Sequence, residues 1–326
     1  MKVSVLGAGS WGTALSIHFA RAGHDVLLWA RDPEVSSAIR RDGRHPRRLP
    51  GTKLPPGVAA TSDLAAAFAY SDTIVLAVPC ASLRPLLESA PAADGPPLRF
   101  VSTAKGIEPE TLKRMSEVIH EHRPASPVAA LSGPTFAEGV ARGDPSAAVI
   151  AGGSLAEELQ AAFSTVQLRL YRSDDVVGVE LAGALKNVVA IAAGVVSGLG
   201  YGHNTLAALM TRGLAEIARI VRARGGQDRT VQGLAGIGDL ILTCTGSQSR
   251  NRRVGEEVGR GRKLAEVLVE MPEVAEGART CLAVPTMAAQ AGLEAPIAEA
   301  VVQVLYEGMP PKEALERLMT RALREE

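Results

Sequence analysis

Two lysines, Lys105 and Lys186, are the residues of this chain with the clearest potential for proton chemistry. Only 7 of the 35 basic residues are lysines and 28 are arginines, yet both positions lie in uncharged or apolar stretches. Arginine keeps its proton under ordinary conditions, whereas burial and neighbouring charges can lower the pKa of a lysine from about 10.4. Since arginine is used freely wherever only a positive charge is needed, we expect these two lysines to contact a reacting group.

Lys186 lies in an apolar stretch, residues 176–200, that predicts one long helix. A buried lysine is costly unless it is paired, and desolvation lowers its pKa toward the range that suits a proton donor near neutrality. The neighbouring Asn187 can orient a substrate or hold the lysine. The alternative is that Lys186 reaches out of the helix into solvent. A membrane span is disfavoured, because Glu180 and Lys186 interrupt the stretch and its ends lack a Lys/Arg bias.

Three further candidates directly follow predicted strands. Lys105 comes after a strand at 98–102, and Gly133 and Thr135 come after a strand at 128–131. In doubly wound folds the carboxyl ends of the strands form the edge of the sheet that binds ligands. The alternatives are that Lys105 is a surface lysine and that Thr135 forms a capping box with Glu138, which would only start a helix.

Two polar segments in the second half of the chain offer groups for an anionic substrate. Asp239 lies on a glycine-flanked turn, and Ser249, Arg250 and Asn251 lead into a predicted helix. Helix N-terminal amides, a hydroxyl and an arginine fork are suited to binding a phosphate group. The alternatives are an N-cap at Asp239 and a helix start at Ser249 that is merely basic.

A glycine fingerprint lies between the first predicted strand and the first predicted helix. Gly7, Gly9 and Gly12 form Gly-x-Gly-x-x-Gly within a complete βαβ pattern. The first glycine permits a tight turn, the second lets a pyrophosphate approach the backbone, and the third lets helix and strand pack closely. The alternative is a flexible strand-to-helix turn, but the context favours dinucleotide binding.

The end of the second predicted strand bears on which dinucleotide is bound. An acidic residue here would accept hydrogen bonds from the ribose of NAD, but this chain has Arg31 followed by Asp32. Arg31 can bind a 2′-phosphate and favours NADPH, while Asp32 leaves NAD open, and a solvated surface pair is the alternative. Arg47 and Arg48, in the following loop, are candidates to add to this phosphate site.

The elements that must position these residues form two groups. Alternating apolar runs and amphipathic stretches predict an α/β fold, with a Rossmann-type doubly wound parallel sheet in a dinucleotide-binding domain at residues 1–173. Long helical patterns predict an all-α substrate and catalytic domain at 174–326. The expected helices include 109–121, 253–259 and 284–291, and residues 41–56 are expected to form a loop.

Composition narrows the class of protein. The 326 residues carry 35 basic and 35 acidic side chains, so charge gives no reason to expect nucleic acid or a membrane as a partner. Three dispersed cysteines argue against disulfides and thiolate metal sites and fit a reducing cytoplasm. No metal site is predicted, and His203 is a secondary candidate for a general acid. The oligomeric state stays open, with a homodimer among the states that the sequence allows.

Six segments in chain order closely resemble the bacterial NAD(P)-dependent glycerol-3-phosphate dehydrogenase family. They span almost the whole chain and are far more specific than the glycine fingerprint alone. The segments are Gly-Ala-Gly-Ser-Trp-Gly at 7–12, Ala-Lys-Gly-Ile-Glu at 104–108, Ser-Gly-Pro-Thr-Phe-Ala at 132–137, Gly-Ala-Leu-Lys-Asn-Val at 183–188, Gly-Ile-Gly-Asp-Leu at 236–240 and Ser-Arg-Asn-Arg at 249–252.

This resemblance implies reversible hydride transfer between NAD(P)H and dihydroxyacetone phosphate, giving sn-glycerol 3-phosphate for phospholipid synthesis. Lys186 matches the family's catalytic lysine, and Lys105 would assist it. Substrate contacts are implied at Lys105, Gly133, Thr135, Lys186, Asn187, Asp239, Ser249, Arg250 and Asn251. Coenzyme contacts are implied at Gly7, Gly9, Ser10, Trp11, Gly12, Arg31, Arg48, Lys105, Ala137, Arg250, Val274 and Glu276. The family often has an aromatic residue where this chain has Arg48, so the resemblance alone does not decide how the adenosine phosphate is bound or whether NADPH is preferred over NADH.

Two other functions remain open at this point. A different two-domain dehydrogenase, of the hydroxyacid or phosphogluconate type, would share the Rossmann half, the helical half and a lysine acid. The cluster at residues 249–253 argues against a simple hydroxy acid as substrate. A non-catalytic dinucleotide sensor is the other alternative, but such a protein would not need Lys105, Lys186 and Asp239.

Overall fold

The computed structural model describes residues 1–92, 95–271 and 275–322, and the chain divides into two compact units. Unit 1 comprises Met1–Ala104 and Lys113–Glu180, and unit 2 comprises Lys105–Leu112 and Leu181–Glu326. This division falls seven residues beyond the predicted domain boundary after residue 173 and assigns a short early segment to unit 2. The predicted boundary itself stays a prediction.

One large sheet forms the centre of unit 1. The strands of the described residues are β1 (Lys2–Leu6), β2 (Asp25–Trp29), β3 (Val58–Thr61), β4 (Thr73–Leu76), β5 (Arg99–Ser102), β6 (Ile107–Glu108), β7 (Lys113–Arg114), β8 (Val128–Ser132), β9 (Ser146–Ala151) and β10 (Leu168–Ser173). The sheet has 8 strands in the order β10-β9-β8-β5-β4-β1-β2-β3. Its strand order reverses direction on either side of β1, as in doubly wound folds.

The sheet is mostly parallel, which confirms the predicted fold class. Each neighbouring pair from β8 to β3 is parallel, so the ends of β1, β2, β4, β5 and β8 share one edge. The pair β8 and β9 is antiparallel, whereas β9 and β10 are again parallel to each other. The antiparallel pairing of β8 and β9 is a detail of this sheet that was not predicted. An isolated apolar run carries no periodic signal of strand direction, so the sequence pattern could not distinguish the two cases.

Helices cover both faces of this sheet. They are α1 (Ser10–Arg21), α2 (Pro33–Asp42), α3 (Leu64–Tyr70), α4 (Cys80–Glu88), α5 (Met115–His122), α6 (Ala137–Arg142) and α7 (Gly153–Phe163). Side chains alternate along β1, so that Val5 joins one apolar core with Phe19 and Phe163, while Leu6 joins a second core with Phe100. This alternation follows from the period of two in a strand and explains why both faces must be covered.

Where unit 2 is described, its regular elements are helices apart from β6. They are α8 (Val176–Gly198), which begins in unit 1, α9 (His203–Ala223), α10 (Asp228–Val231), α11 (Asp239–Thr245), α12 (Arg250–Gly259), α13 (Leu264–Glu270), α14 (Glu276–Gln290), α15 (Pro296–Tyr306) and α16 (Pro311–Met319). A π-helical turn, Leu234–Gly238, leads into α11. The predicted helical second half is confirmed.

Two of these helices approach each other through glycines. Gly194 and Gly198 of α8 face Gly255 and Gly259 of α12, and we call these four residues the glycine seam. A methyl group on Gly255 would lie 1.9 Å from the carbonyl oxygen of Ile191, closer than any real contact allows. Because each glycine meets backbone rather than a side chain, the two helices can pack at this distance only without β-carbons.

Several helix boundaries differ from those predicted, for local reasons. The helix expected at 109–121 begins only at Met115, because residues 109–112 form a turn in which Leu112 has a φ of 58°, outside the helical region. The helix expected at 284–291 begins earlier, at Glu276, and contains Pro285 in its interior. Proline is usually a helix breaker, so the sequence pattern placed a boundary where the helix continues.

One helix of the described residues is long and apolar enough to cross a membrane by length and composition alone. This is Val176–Gly198, with a mean hydropathy of 1.7 over its most apolar window. Within that window 83% of the residues are buried inside the structure, as in the core helix of a folded protein. The helix is therefore weak support for a membrane span.

A buried carboxylate joins two helices of unit 2 and predicts a pH-dependent stability. Glu216 of α9 accepts hydrogen bonds from the amides of Ile297 (3.0 Å) and Ala298 (3.1 Å) in the first turn of α15. Burial raises the pKa of Glu216 to about 6, although these amide bonds oppose the rise. A carboxyl with a raised pKa in the folded state stabilises the fold below its unfolded pKa, and this stabilisation is lost as the pH rises through about 6.

We therefore expect the free energy of unfolding of the wild type, relative to Glu216→Gln, to fall by about 2 kcal/mol between pH 4 and pH 7. The glutamine does not titrate, whereas the other carboxyl groups are common to both proteins and cancel. Urea unfolding at the two pH values measures the difference. Glu313→Gln, at a half-exposed position of α16, is the control and should show no such change. An equal pH dependence in wild type and Glu216→Gln would contradict the expectation.

Candidate active site

Four side chains of unit 2 form a hydrogen-bonded cluster, which we call the lysine cluster: Lys105, Lys186, Asp239 and Thr243. Lys186 Nζ donates to Thr243 Oγ1 at 2.7 Å and lies 3.2 Å from Asp239 Oδ1. The other carboxylate oxygen of Asp239 accepts from Lys105 Nζ at 2.7 Å. The Thr243 hydroxyl donates to Asp239 Oδ1 at 3.2 Å. One carboxylate therefore holds both lysines that the sequence singled out.

The local fold explains why Asp239 and Thr243 act together. They are the first and fifth residues of α11, so they lie on the same face one turn apart. The π-helical turn that precedes α11 packs so closely that a methyl group on Gly236 would lie 1.9 Å from the carbonyl oxygen of Val231. Gly236 is therefore required for this turn, which leads into α11 and places its first residue, Asp239, beside Lys186. The predicted glycine-flanked turn is instead a helix start whose N-cap is Gly238.

Burial sets the electrostatics of the cluster. The side chain of Lys186 is 6% exposed and that of Asp239 is 2% exposed. Desolvation lowers the pKa of Lys186 to about 8, with Lys105 adding to the decrease and Asp239 opposing it. Burial alone would raise the pKa of Asp239, but the charges of Lys105 and Lys186 hold it below its ordinary value. With both lysines charged, the cluster carries one excess positive charge, which favours an anionic or electron-rich ligand.

A relay of hydrogen-bonded amide groups begins at Asn187, the residue next to Lys186. Asn187 Nδ2 donates to the carbonyl oxygen of Lys105 at 2.9 Å, and Asn187 Oδ1 accepts from Asn251 Nδ2 at 2.9 Å. Asn251 Oδ1 in turn accepts from the amide of Gly277 at 2.9 Å. A methyl group on Gly277 would lie 2.6 Å from the carbonyl oxygen of Asn187, so this approach requires glycine. The relay connects α8, α12 and α14 to the segment that carries Lys105.

The remaining candidates of unit 2 lie at helix starts. Ser249 is the N-cap of α12, where its hydroxyl accepts from the amide of Arg252 at 3.2 Å, and Arg250 is the first helical residue. Glu276 is the first residue of α14. Val274, predicted as a coenzyme contact, lies outside the described residues. His203 is an exposed residue at the start of α9.

The glycine fingerprint of unit 1 forms the predicted turn between β1 and α1. Gly7 has a φ of 116°, and a methyl group on Gly12 would lie 1.9 Å from the carbonyl oxygen of Gly7. A methyl group on Gly9 would meet nothing within 4 Å, so the backbone there is accessible. Trp11 Nε1 is buried and has no hydrogen-bond partner within the described residues. An open backbone at a helix N-terminus and a buried, unused donor fit the binding of a dinucleotide.

Other candidates of unit 1 follow the ends of β2 and β8, at the same edge of the sheet as the glycine turn. Arg31 is exposed and lies two residues after the end of β2. Gly133 has a φ of 143° and packs against Ala148, where a methyl group would lie 2.9 Å from the α-carbon. Thr135 donates to the carbonyl oxygen of Gly133 at 3.3 Å, and the N-cap of α6 is Phe136 without a side-chain cap. The alternative that Thr135 only forms a capping box is therefore wrong.

Sequence reasoning missed two members of this site. Thr243 lies four residues after Asp239, a spacing that would have revealed it if residues 239–245 had been predicted as a helix. Gly277 was missed because the helix α14 was expected to begin eight residues later than it does. Neither residue type carries a chemical signal of its own, so only the correct element boundaries could have pointed to them.

Comparison with known proteins assigns the family. A model described as the N-terminus of NAD-dependent glycerol-3-phosphate dehydrogenase matches residues 2–163, and one for its C-terminus matches residues 175–316. A protein of Salinibacter ruber named glycerol-3-phosphate dehydrogenase [NAD(P)+] 1 is 46% identical over 330 residues, covering 100% of this chain and 97% of its own length. The chain belongs to the NAD-dependent glycerol-3-phosphate dehydrogenase family.

Other members of the glycerol-3-phosphate dehydrogenase family agree. The enzyme of that name from Rhodospirillum rubrum is 48% identical, covering 99% of this chain and 93% of its own length. The crystal structure of glycerol-3-phosphate dehydrogenase from Coxiella burnetii has a TM-score of 0.91 and 34% identity, covering 98% of this chain and 99% of that chain. The family resemblance predicted from the six motifs is confirmed, and the chain is an NAD(P)-dependent oxidoreductase of this type.

Proposed function

We propose that this chain catalyses reversible hydride transfer between NAD(P)H and dihydroxyacetone phosphate, giving sn-glycerol 3-phosphate for phospholipid synthesis. The chain belongs to the glycerol-3-phosphate dehydrogenase family, and one structural observation carries the proposal. The ammonium group of Lys186 is buried and is held between Asp239 and Thr243. A carbonyl reduction needs a group that can donate a proton near neutrality, and burial brings the pKa of Lys186 to about 8.

Lys186 is the proposed general acid. When bound, NAD(P)H supplies the hydride to the carbonyl carbon, and NAD(P)⁺ accepts it in the reverse direction. As negative charge develops on the carbonyl oxygen, Lys186 Nζ donates a proton to that oxygen and a hydroxyl group forms. In the oxidation direction the neutral amine of Lys186 accepts the hydroxyl proton. In each direction the hydride carries the two electrons and Lys186 carries the proton.

The other members of the lysine cluster position this acid. Asp239 and Thr243 hold the ammonium group of Lys186 in one orientation, and Asn187 holds the backbone of Lys105 close to it. We propose that Lys105 polarises the substrate and balances the charge of Asp239. Preorganised charge of this kind stabilises a developing alkoxide more than bulk water does.

We propose contacts for the substrate and for the coenzyme, because the side chains and backbone groups concerned suit the chemistry of these two ligands. The substrate would contact Lys105, Gly133, Thr135, Lys186, Asn187, Asp239, Ser249, Arg250 and Asn251, with the arginine binding the phosphate. The coenzyme would contact Gly7, Gly9, Ser10, Trp11, Gly12, Arg31, Arg48, Lys105, Ala137, Arg250 and Glu276, with its pyrophosphate at the start of α1.

Arg31 and the following arginine-rich loop favour NADPH over NADH as coenzyme, with NADH still usable. We propose a cytoplasmic enzyme that acts on small phosphorylated molecules without nucleic acid or a membrane as partner. The balanced charge supports this, as does the burial of its one long apolar helix among the described residues. A homodimer is the assembly that we propose.

The experiment that tests the reaction follows the absorbance of NADPH and NADH with three substrates in parallel. Dihydroxyacetone phosphate should be reduced rapidly, while unphosphorylated dihydroxyacetone and glyceraldehyde 3-phosphate should be poor substrates. Absence of turnover with dihydroxyacetone phosphate would refute the proposed reaction. Equal rates with and without the phosphate group would refute the proposed role of Arg250.

The lysine cluster predicts the pH dependence of reduction. Lys186 must be protonated to act as an acid, so kcat for reduction should fall as the pH rises above about 8. Asp239 raises the pKa of Lys186, and Asp239→Asn should therefore move the falling limb of the pH profile to lower pH. The control is Asp228→Asn, at an exposed ion pair with Arg222. A limb that stays in place in Asp239→Asn would show that Lys186 does not control this step.

A further inference from the structure

The loop between α2 and β3 is held in a defined conformation, although it has no regular secondary structure. Leu49 and Leu54 are buried in the core of unit 1, and the amide of Leu54 donates to the carbonyl oxygen of Gly43 at 2.8 Å. Leu49 has a φ of 49°, which is unfavourable for a residue with a branched side chain. Such a conformation persists only where the surrounding contacts enforce it, and it often marks a functional constraint.

His45 connects this loop to the glycine turn. Its Nε2 lies 2.8 Å from the carbonyl oxygen of Ala8, the residue between Gly7 and Gly9. Its Nδ1 lies 3.1 Å from the amide of Arg47 and 3.0 Å from that of Arg48. A carbonyl oxygen only accepts and an amide only donates, so Nε2 must carry the hydrogen and Nδ1 must be unprotonated. All the hydrogen-bonding capacity of the neutral ring is therefore used to join the two segments.

The arginine side chains of this loop add to the positive charge of Arg31. Arg47 forms an ion pair with Asp32, whose other oxygen accepts from the amide of Glu34 at 3.0 Å as the N-cap of α2. The acceptors of Asp32 thus already have partners. Two residues shortly after β2, Arg31 and Asp32, and two in the loop after α2, Arg47 and Arg48, together carry an excess of two positive charges. This charge suits a phosphate group better than the hydroxyl groups of an unphosphorylated ribose.

We propose that His45 is a positioning residue that holds Arg47 and Arg48 against the glycine turn and thereby sets the preference for NADPH over NADH. This inference rests on the proposed function, because it assumes that the glycine turn binds the coenzyme. His45 acts through the two arginines and contacts no reacting atom. Without the imidazole, two loop amides and one turn carbonyl lose their partner, and the arginines lose their fixed distance from the turn.

The test measures the Kd of NADPH and of NADH by nucleotide fluorescence for the purified full-length enzyme. His45→Ala should weaken NADPH binding about tenfold and NADH binding less than about threefold. The value of kcat at saturating NADPH should stay within about twofold. His45→Asn, whose amide can both donate and accept, should restore most of the discrimination. His45→Ser, which keeps a local acceptor but cannot reach Ala8, should behave like His45→Ala and covers the case in which His45→Ala fails to fold.

A second comparison separates this role from general stability. In a variant with both Arg47→Ala and Arg48→Ala, adding His45→Ala should cause no further loss of NADPH affinity, because His45 acts through those arginines. The proposal would be overturned if His45→Ala weakened the binding of both coenzymes equally. It would also be overturned if His45→Ala caused a further loss of NADPH affinity in the variant that lacks Arg47 and Arg48. A wild type that binds NADPH but does not reduce dihydroxyacetone phosphate would instead overturn the proposed function.

Discussion

Lys186→Arg should lower kcat for the reduction of dihydroxyacetone phosphate by about 10³-fold, within the range for removing a general acid. Arginine keeps the positive charge beside Asp239 but holds its proton too tightly to donate it. Lys186→Met, which keeps an unbranched side chain one heavy atom shorter and removes the charge, should cause a loss at least as large. Steady-state kinetics at saturating coenzyme, with the pH profile of the residual activity, measure both variants.

Coenzyme binding shows whether the Lys186 variants lose only proton donation or also lose affinity for NADPH. The proposed coenzyme contacts lie mainly in other segments, so the fluorescence of bound NADPH should report a Kd within about threefold of the wild type. Lys312→Arg, at an exposed position of α16, is the matched control and should be fully active. A fully active Lys186→Arg would mean that another group donates the proton. A variant that no longer binds NADPH would mean that Lys186 has a structural role instead.

Gly255→Ala should be one of the most destabilising single-methyl substitutions in unit 2. The added methyl group would lie 1.9 Å from the carbonyl oxygen of Ile191, so that α8 and α12 must separate. Overpacking against backbone that cannot rotate away costs about 3 kcal/mol, which corresponds to a decrease in Tm of about 5–10 °C. Thermal unfolding followed by circular dichroism measures this change.

The same substitution should also impair catalysis at temperatures where the protein remains folded. Moving α12 away from α8 lengthens the hydrogen bond between Asn251 and Asn187, which is 2.9 Å in the wild type and lies beside Lys186. The matched control is Gly202→Ala, because this glycine has a φ of −89° and a methyl group there would meet nothing within 4 Å. Equal melting temperatures for Gly255→Ala and Gly202→Ala would show that the glycine seam is not tightly packed.

The sequence was sufficient where a local pattern has one structural outcome. The run from β1 through the glycine turn to β2 combines a period of two, a helix period and glycines with fixed roles. The sequence predicts strands at 3–6 and 25–29 and a helix at 11–22, each within one residue of the observed bounds. Lys186 stood out for a related reason, since a lysine in an apolar helix requires a buried partner. Its partner Asp239 was among the candidates, although the contact itself was not predicted.

The sequence was insufficient where the outcome depends on distant contacts. The antiparallel direction of β9, the continuation of α14 through Pro285 and the role of Thr243 all depend on tertiary packing. His45 is a further case, because a single histidine in a loop gives no sign that it will meet Ala8, 37 residues earlier in the chain. Local propensity is a weak guide at such positions, and the contacts that decide them are visible only in three dimensions.

The sharing of Asp239 by two lysines bears on the reversibility of the reaction. When Lys186 is protonated, the carboxylate is paired with both cations, and after the proton leaves it is still paired with Lys105. Neither protonation state therefore leaves an isolated charge in a dry environment, which would cost several kcal/mol. The same cluster can therefore support Lys186 as a proton donor in reduction and, as a neutral amine, as a proton acceptor in oxidation. As with any catalyst, the direction of net flux is set by the concentrations of substrates and coenzymes.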